Sequence, residues 1–185
     1  MVISHINHKR VIDRYTVPKP SNFYGTSKLQ AEEGVMTLQD DKFKVAVLRP
    51  PMVYGKGSKG NYPKLANMAQ KLPLFPDVDN ERSMLHIDNL CEFIRCVVKN
   101  EESGVFFPQN KEYVKTSELV KLIAEAHGKN LKLTKLFNPV LMLMGNFMGM
   151  VNKAFGNLVY EKSMSEYNED YRIRDLRESV IKTEN

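Results

Sequence analysis

Residues 1–20 show no regular alternation of apolar and polar positions and end in the turn-rich Val17-Pro18-Lys19-Pro20, which predicts an irregular lead-in. Ser21 then offers an N-cap for a helix running to about Leu38. Phe43–Arg49 is a short apolar run that reads as a buried strand, and Pro50-Pro51 must end it because proline has no N–H to give a ladder. A loop with Gly55, Gly57 and Gly60 follows. Tyr62–Leu72 reads as a helix, Pro73–Asn80 as a loop, Ser83–Ile87 as a short strand, and Asp88–Asn100 as an amphipathic helix with Leu90, Ile94, Val97 and Val98 inward. Gly104–Phe107 suggests a strand, Thr116–His127 a helix closed by Gly128, and Asn130–Leu136 an alternating strand. A polar, tyrosine-bearing stretch from Ser163 ends in a helix near Arg174–Thr183. Such alternation predicts an α/β architecture with parallel strands.

Residues 137–155, FNPVLMLMGNFMGMVNKAF, form a Met-rich apolar run broken by Gly145, Asn146, Gly149 and Asn152. The breaks favour a helix or helix pair covering the core or a pocket over a bilayer crossing or a membrane-surface segment. No stretch reaches 18 uninterrupted apolar residues, and the N-terminus, with His5, His8, Lys9 and Arg10, lacks an apolar signal core. Cys91 and Cys96, five apart on a predicted helix, do not suit a disulfide. A cytoplasmic protein is the expectation.

Composition changes the picture in one respect. The chain has 185 residues, enough for one compact domain or a domain and a half, and carries 27 Lys+Arg against 22 Asp+Glu. The excess is confined to residues 1–75, with 12 basic and 5 acidic side chains. No run of five basic residues and no aromatic-basic RNA motif occurs, so the bias fits a small anionic ligand and not a nucleic acid.

The chemistry centres on Tyr24 and Lys28 in YGTSK, four apart on the first predicted helix and therefore on one face. A phenol is a weak base at neutral pH, and an adjacent ammonium together with a cationic cofactor ring favours its phenolate, as hydroxyl-to-carbonyl conversion requires. Spacing alone is weak, since 8 Tyr and 19 Lys in 185 residues give roughly 0.8 such pairs by chance. Tyr15 and Lys19 share the spacing, but Pro18 lies between them and excludes a helix.

Three segments in order, PKPSNFYGTSKLQAEE, VAVLRPPMVYGKG and ERSMLHIDNL, resemble the extended short-chain dehydrogenase/reductases, the NAD-dependent epimerase/dehydratases that act on nucleotide sugars. The resemblance extends over essentially the whole chain. It implies the C-terminal part of a Rossmann-like parallel sheet, within residues 1–60, plus a smaller α/β substrate-binding region over 61–185, from which the strand and helix of 83–100 return to the first unit. It further implies that Tyr24 is the acid/base and that Lys28 holds the nicotinamide ribose and tunes that Tyr. Pro50, Pro51 and Met52 resemble the loop passing the nicotinamide and sugar, with Pro51 on the cofactor side and Met52 on the substrate side. Asn61 resembles a uridine-diphosphate contact, and Arg82 the arginine that clamps the diphosphate, a role suited to a planar guanidinium. His86 and Asp88 read as structural, capping the helix that starts there. No metal site is expected, because His5, His8, His86 and His127 show no ligand spacing beyond the His5/His8 pair.

One family element is missing. No G-x-x-G-x-x-G or G-x-G-x-x-G occurs, and only 23 residues precede Tyr24, too few for a Rossmann half. The family's catalytic Ser or Thr context is absent too, and Ser4 does not match it. The chain therefore reads as the C-terminal portion of an epimerase most like UDP-glucose 4-epimerase, with NAD as recycled cofactor and a nucleotide sugar as substrate. A 4-keto reductase or dehydratase of the same fold, a non-catalytic remnant, and a subunit completed by a separately encoded Rossmann half are the alternatives. Family members often dimerise through a helix pair that would include the Tyr24 helix.

Overall fold

The computed structural model describes residues 10–136, 138–139 and 155–185. In chain order its elements are β1 (Val11–Ile12), α1 (Phe23–Met36), β2 (Ala46–Leu48), β3 (Met52–Tyr54), α2 (Tyr62–Lys71), β4 (Leu74–Pro76), β5 (Met84–His86), α3 (Ile87–Lys99), β6 (Gly104–Phe106), α4 (Thr116–Ala126), β7 (Lys132–Thr134), β8 (Val159–Tyr160) and α5 (Leu176–Glu184). The strands form four parallel pairs, β1 with β8, β2 with β6, β3 with β5 and β4 with β7. The class is α/β, as the alternation predicts.

Several expectations need correction. The lead-in contains β1, and the expected loops after Pro51 and Pro73 contain β3 and β4. Strands of two or three residues are too short to show alternation, and their partners lie far along the chain. The N-cap of α1 is Asn22 and not Ser21, with its side chain accepting from the Gly25 N–H at 2.8 Å, and α1 stops two residues short of Leu38. β2 starts three residues after Phe43, because the Asp40 carboxylate accepts from the N–H groups of Lys42 and Phe43, both at 2.7 Å, and turns the chain there. The Met-rich 137–155 segment, Ser4, His5 and His8 fall almost wholly outside the described residues.

Three of the helices meet the core as their apolar spacing demands, and α3 and α1 do not. Buried Leu65 and Ala69 of α2, Leu119, Val120, Ile123 and Ala124 of α4, and Leu176 and Val180 of α5 join Tyr54, Phe75 and Met84 in one cluster. A second cluster sets Leu85, Phe93, Val97 and Tyr171 against Leu48 and Phe106. In α3 the buried positions are Asn89, Phe93, Cys96 and Val97, whereas Ile94 and Val98, expected inward, are 43% and 71% exposed. Phe93 sets that rotation, because its ring meets those of Phe106, Tyr167 and Tyr171 at centroid distances of 5.8, 5.2 and 4.8 Å. α1 buries no residue at all.

Two glycines are required by geometry. Gly128 closes α4 at φ 68°, in the left-handed region. A Cβ on Gly55 would lie 2.5 Å from Ile87 Cγ2, so the turn after β3 can approach the start of α3 only without a side chain. No helix among the described residues is long and apolar enough to cross a membrane. Cys91 and Cys96 are free thiols.

Candidate active site

The chain between β2 and β3 is Arg49-Pro50-Pro51, where the loss of two N–H groups breaks the ladder and lets the strand resume in a new pair at Met52, opposite Met84. Beside this break is a cavity of about 240 Å³, lined by Pro50, Pro51, Met52, Arg82, Ser83 and Tyr160, with Ile12 and Leu158 completing the wall. Four residues marked by the sequence, Pro50, Pro51, Met52 and Arg82, thus meet although they come from two separate segments.

Arg82 is held from its backbone. Its N–H donates to Val114 O at 3.1 Å and its carbonyl accepts from Val114 N at 2.9 Å, just ahead of β5. Its guanidinium donates from Nη1 to Gly156 O at 3.4 Å and is largely desolvated, which lowers its pKa from the ordinary value without uncharging it. This is not the exposed strand-edge arginine that the spacing alone would suggest.

The other wall is a polar assembly that sequence reasoning missed. Ser83 Oγ accepts from the Tyr160 N–H at 2.8 Å and donates to Gln109 Oε1 at 2.6 Å. Gln109 Nε2 donates onward to the carbonyls of Tyr160 and Glu161, both at 3.3 Å, and to Ser165 Oγ at 3.1 Å. Tyr171 Oη both accepts from Gln109 N and donates to Gln109 O. The Tyr160 hydroxyl donates to Pro50 O at 3.5 Å, and burial raises its pKa. The available signal was Pro108-Gln109-Asn110 directly after a strand, two amide side chains that a buried position must satisfy.

An adjoining cavity of about 360 Å³ is lined by Arg14, Arg49, Val105, Phe107 and Met164. Phe107 links the two spaces, meeting the Tyr160 ring edge-on at 5.9 Å and lying 5.7 Å from the Arg49 guanidinium. Arg49 in turn pairs with Glu32 of α1.

Tyr24 and Lys28 share one face of α1, with Lys28 Nζ 5.7 Å from the Tyr24 ring centroid. Tyr24 is 70% exposed, and neither residue lines the two cavities described above. Asn61 stands at the N-terminus of α2, where its side chain makes no capping hydrogen bond, and it too lies away from these cavities. His86 caps α3, its Nδ1 accepting from the Asp88 N–H at 3.3 Å, and Asp88 pairs with Lys182 and Arg174, so both act structurally as expected. Among the described residues no group of three His, Cys, Asp or Glu could hold a metal ion.

Comparison with known proteins bears on this arrangement. The model of the NAD dependent epimerase/dehydratase family matches residues 6–108. A UDP-glucose 4-epimerase of Vibrio cholerae is 33% identical over 116 residues, 60% of this chain and 35% of that protein. An N-acetyl-α-D-glucosaminyl-diphospho-ditrans,octacis-undecaprenol 4-epimerase of Escherichia coli O157:H7 is 28% identical over 144 residues, 74% of this chain and 44% of that protein. The chain therefore spans less than half the length of either relative. Among solved structures, a UDP-glucuronic acid 4-epimerase from Bacillus cereus, in complex with NAD, has a TM-score of 0.66 at 14% identity, over 93% of this chain and 54% of that one. A dTDP-4-dehydrorhamnose reductase from Clostridium acetobutylicum also gives 0.66, at 18% identity over 98% and 61%. These two likenesses carry the fold alone.

Proposed function

As the chain belongs to the NAD-dependent epimerase/dehydratase family, we propose that it forms the Tyr-Lys helix and the sugar-facing part of an NAD-dependent nucleotide-sugar 4-epimerase of the UDP-glucose 4-epimerase kind. The observation that carries this reading is the meeting of Pro51 and Met52 from one motif with Arg82 from another around a single cavity. On this reading residues 1–60 complete a dinucleotide-binding unit, and 61–185 form the substrate region, with 83–100 returning to the first. The apolar cluster that packs Leu85, Phe93 and Val97 against Ala46 and Leu48 supports the return of 83–100 to the first unit.

Each residue then has a definite task. Tyr24 takes the proton of the sugar C4 hydroxyl at its phenolate oxygen, and Lys28 stabilises that phenolate and holds the ribose of the cofactor. Lys28 and Pro51 would hold the nicotinamide end of NAD, which would supply reversible hydride transfer at the sugar C4, with no net redox change. Pro51 bounds the nicotinamide side and Met52 the sugar side. Arg82 binds the diphosphate, and burial makes its charge more effective there. Asn61, carrying an uncommitted amide at a helix N-terminus, meets the uridine diphosphate. The residues present fit only the nicotinamide end of NAD, since the sequence has no glycine-rich turn for the pyrophosphate. That turn comes from polypeptide outside these residues, continuous with them or separately encoded.

A 4-keto nucleotide-sugar reductase or dehydratase of the same family is the second reading; in the reductase the same Tyr protonates the 4-keto oxygen during reduction. A lipid-linked diphosphosugar, as in the E. coli relative's name, is a further substrate of the same chemistry. A homodimer, a reducing cytoplasmic setting suited to the free Cys91 and Cys96, and a non-catalytic remnant belong to the same set of proposals. Tyr24→Phe in the enzyme completed with its dinucleotide-binding half separates the remnant from the enzyme. The expected result is a fall in kcat of about 10²-fold or more with unchanged stability, because the ring is exposed. Turnover that survives this substitution would remove Tyr24 from the mechanism.

A further inference from the structure

The strand pair β4–β7 buries one face and bares the other. Phe75 and Leu133 are partners in register and pack into the larger apolar cluster. Leu74 and Lys132, the partners just before them, share the opposite face, and both are exposed. The bare face continues into α2. Lys132 N donates to Pro73 O at 3.1 Å, and Lys129 Nζ donates to Gln70 O in the last turn of that helix. On α2, Lys64, Met68 and Lys71 stand at helical spacing on the solvent side, clear of buried Leu65 and Ala69.

Two properties of this surface act together. Met68, Leu72 and Leu74 are 42%, 43% and 38% exposed, an apolar strip that the fold leaves in water. Its charge is of one sign, because residues 64–76 and 127–136, the two segments that build it, hold five lysines and no aspartate or glutamate. Among the described residues no ion pair involves Lys64, Lys71 or Lys132. Glu184, which approaches this face through His127 and Gln70, is bound by His127 at 2.7 Å and is only 8% exposed. Asp79, beyond the end of β4, is taken by Lys115 at 2.6 Å.

We infer that this surface lies against an anionic phospholipid bilayer, with Met68, Leu72 and Leu74 entering the headgroup boundary and Lys64, Lys71 and Lys132 at the lipid phosphates. The occupant follows from the kind of side chain present. Protein interfaces are poor in lysine and rich in aromatic residues and arginine, and nucleic-acid surfaces use arginine forks and aromatic platforms. The two segments contain no arginine, and their single aromatic residue, Phe75, is buried. Aliphatic side chains beside lysines suit a bilayer surface, since a lysine stem lies along the acyl boundary while its ammonium stays among the phosphates. The contact is peripheral, as no described helix is long and apolar enough to cross a membrane. No step of the proposed epimerisation uses this face, so the inference goes beyond that reading and stands apart from it.

The test sediments the full chain with vesicles of equimolar phosphatidylglycerol and phosphatidylcholine, and with vesicles of phosphatidylcholine alone. Binding should be about tenfold or more tighter to the anionic vesicles, and should weaken by a similar factor between about 0.1 M and about 0.5 M salt. Lys71→Gln with Lys132→Gln should weaken it about tenfold or more, and so should Leu72→Ser with Leu74→Ser. Thermal unfolding of both double variants should be unchanged, because all four side chains are exposed. The chain has no tryptophan, so Leu72→Trp carries a single reporter. Its emission should shift to the blue on anionic vesicles and be quenched by brominated acyl chains, whereas Val98→Trp on α3 should show neither effect. No binding to anionic vesicles, equal binding to both compositions, binding undiminished in either double variant, or a Leu72→Trp emission that does not move would each overturn the proposal. Self-association or nucleic-acid capture through the same residues, without vesicle binding, would do so too. Tyr24→Phe should leave vesicle binding as it is, so loss of the catalytic reading and loss of this surface are told apart.

Discussion

Arg49 grips Glu32 through two hydrogen bonds, Nε to Oε2 at 3.0 Å and Nη2 to Oε1 at 2.5 Å. Glu32 follows Tyr24 and Lys28 at the same four-residue interval, so all three lie on one face of α1. Among the described residues this is the one side-chain hydrogen bond or ion pair that ties α1 to another element. Because Pro50 and Pro51 come next after Arg49, the pair fixes the Tyr-Lys face relative to the cavity they line. Glu32→Gln should lower stability by about 1–3 kcal/mol, as the partly buried guanidinium loses its counter-charge. Arg49→Lys should keep less than half of the pair's contribution, lacking the planar fork. Urea unfolding measures both, and unchanged midpoints would show that α1 is secured elsewhere.

Asn110 supports the base of the same region. Its Oδ1 accepts from His86 N and Asn89 Nδ2, both at 3.0 Å, and its Nδ2 donates to the Tyr54 hydroxyl at 3.1 Å. Tyr54 continues the network to Ser179 Oγ at 2.5 Å, joining β3 to α5. Asn110→Ala strands two buried donors at once, and a loss of about 2–4 kcal/mol is expected. A calorimetric Tm equal to that of the parent chain would contradict the assignment.

The His86 imidazole makes stability depend on pH. Burial pushes it below its ordinary value of 6.5, with Asp88 opposing and Lys182 and Arg174 adding to the fall. The unfolded chain then binds this proton more readily than the folded one, so its contribution is fully present above pH 6.5 and is lost as pH falls through the folded value. The urea midpoint should decline as pH falls below about 6.5, and His86→Asn should flatten that slope. Asp88 stays outside this window, since Lys182 first and then His86 and Arg174 hold it below 3.8 against the opposing effect of burial. An identical slope in the variant would assign the dependence to another group.

Lys162 offers a spectroscopic check on burial. Its Nζ lies 4.0 Å from the Tyr113 ring centroid and donates to the carbonyls of Asn110 and Lys111. Desolvation, aided by Arg172, brings its pKa down to about 8. After reductive ¹³C-methylation, one lysine resonance should titrate near 8 and vanish in Lys162→Arg. Lysine signals that all titrate near the ordinary 10.5 would refute the half-buried placement of Lys162.

What the sequence made legible follows from locality. α4 and α5 could be read because their capping and apolar spacing sit within a few residues, as in the Asp175–Glu178 capping box. β3 and β4 could not, because Met52–Tyr54 and Leu74–Pro76 become strands only by pairing with segments 32 and 58 residues away. The rotation of α3 was hidden for the same reason, its inward face being chosen by Tyr167 and Tyr171 from a distant segment. At the candidate site, the motif residues Pro51, Met52 and Arg82 could be named in advance. Ser83, Gln109 and Tyr160 could not, since their roles arise from one another across 26 and 51 residues of chain.

The pairing of Val11 with Val159 and of Ile12 with Tyr160 sets a timetable for the nascent chain. At about 5–20 residues per second, a ribosome takes roughly 7–30 s to deliver the later strand after the earlier one. Throughout that interval β1 has nothing to pair with and must stay unstructured or sheltered by a chaperone. This closure is therefore late relative to the synthesis of β1, and the wall that Ile12 and Tyr160 give to the cavity forms only once the chain has been made as far as Tyr160.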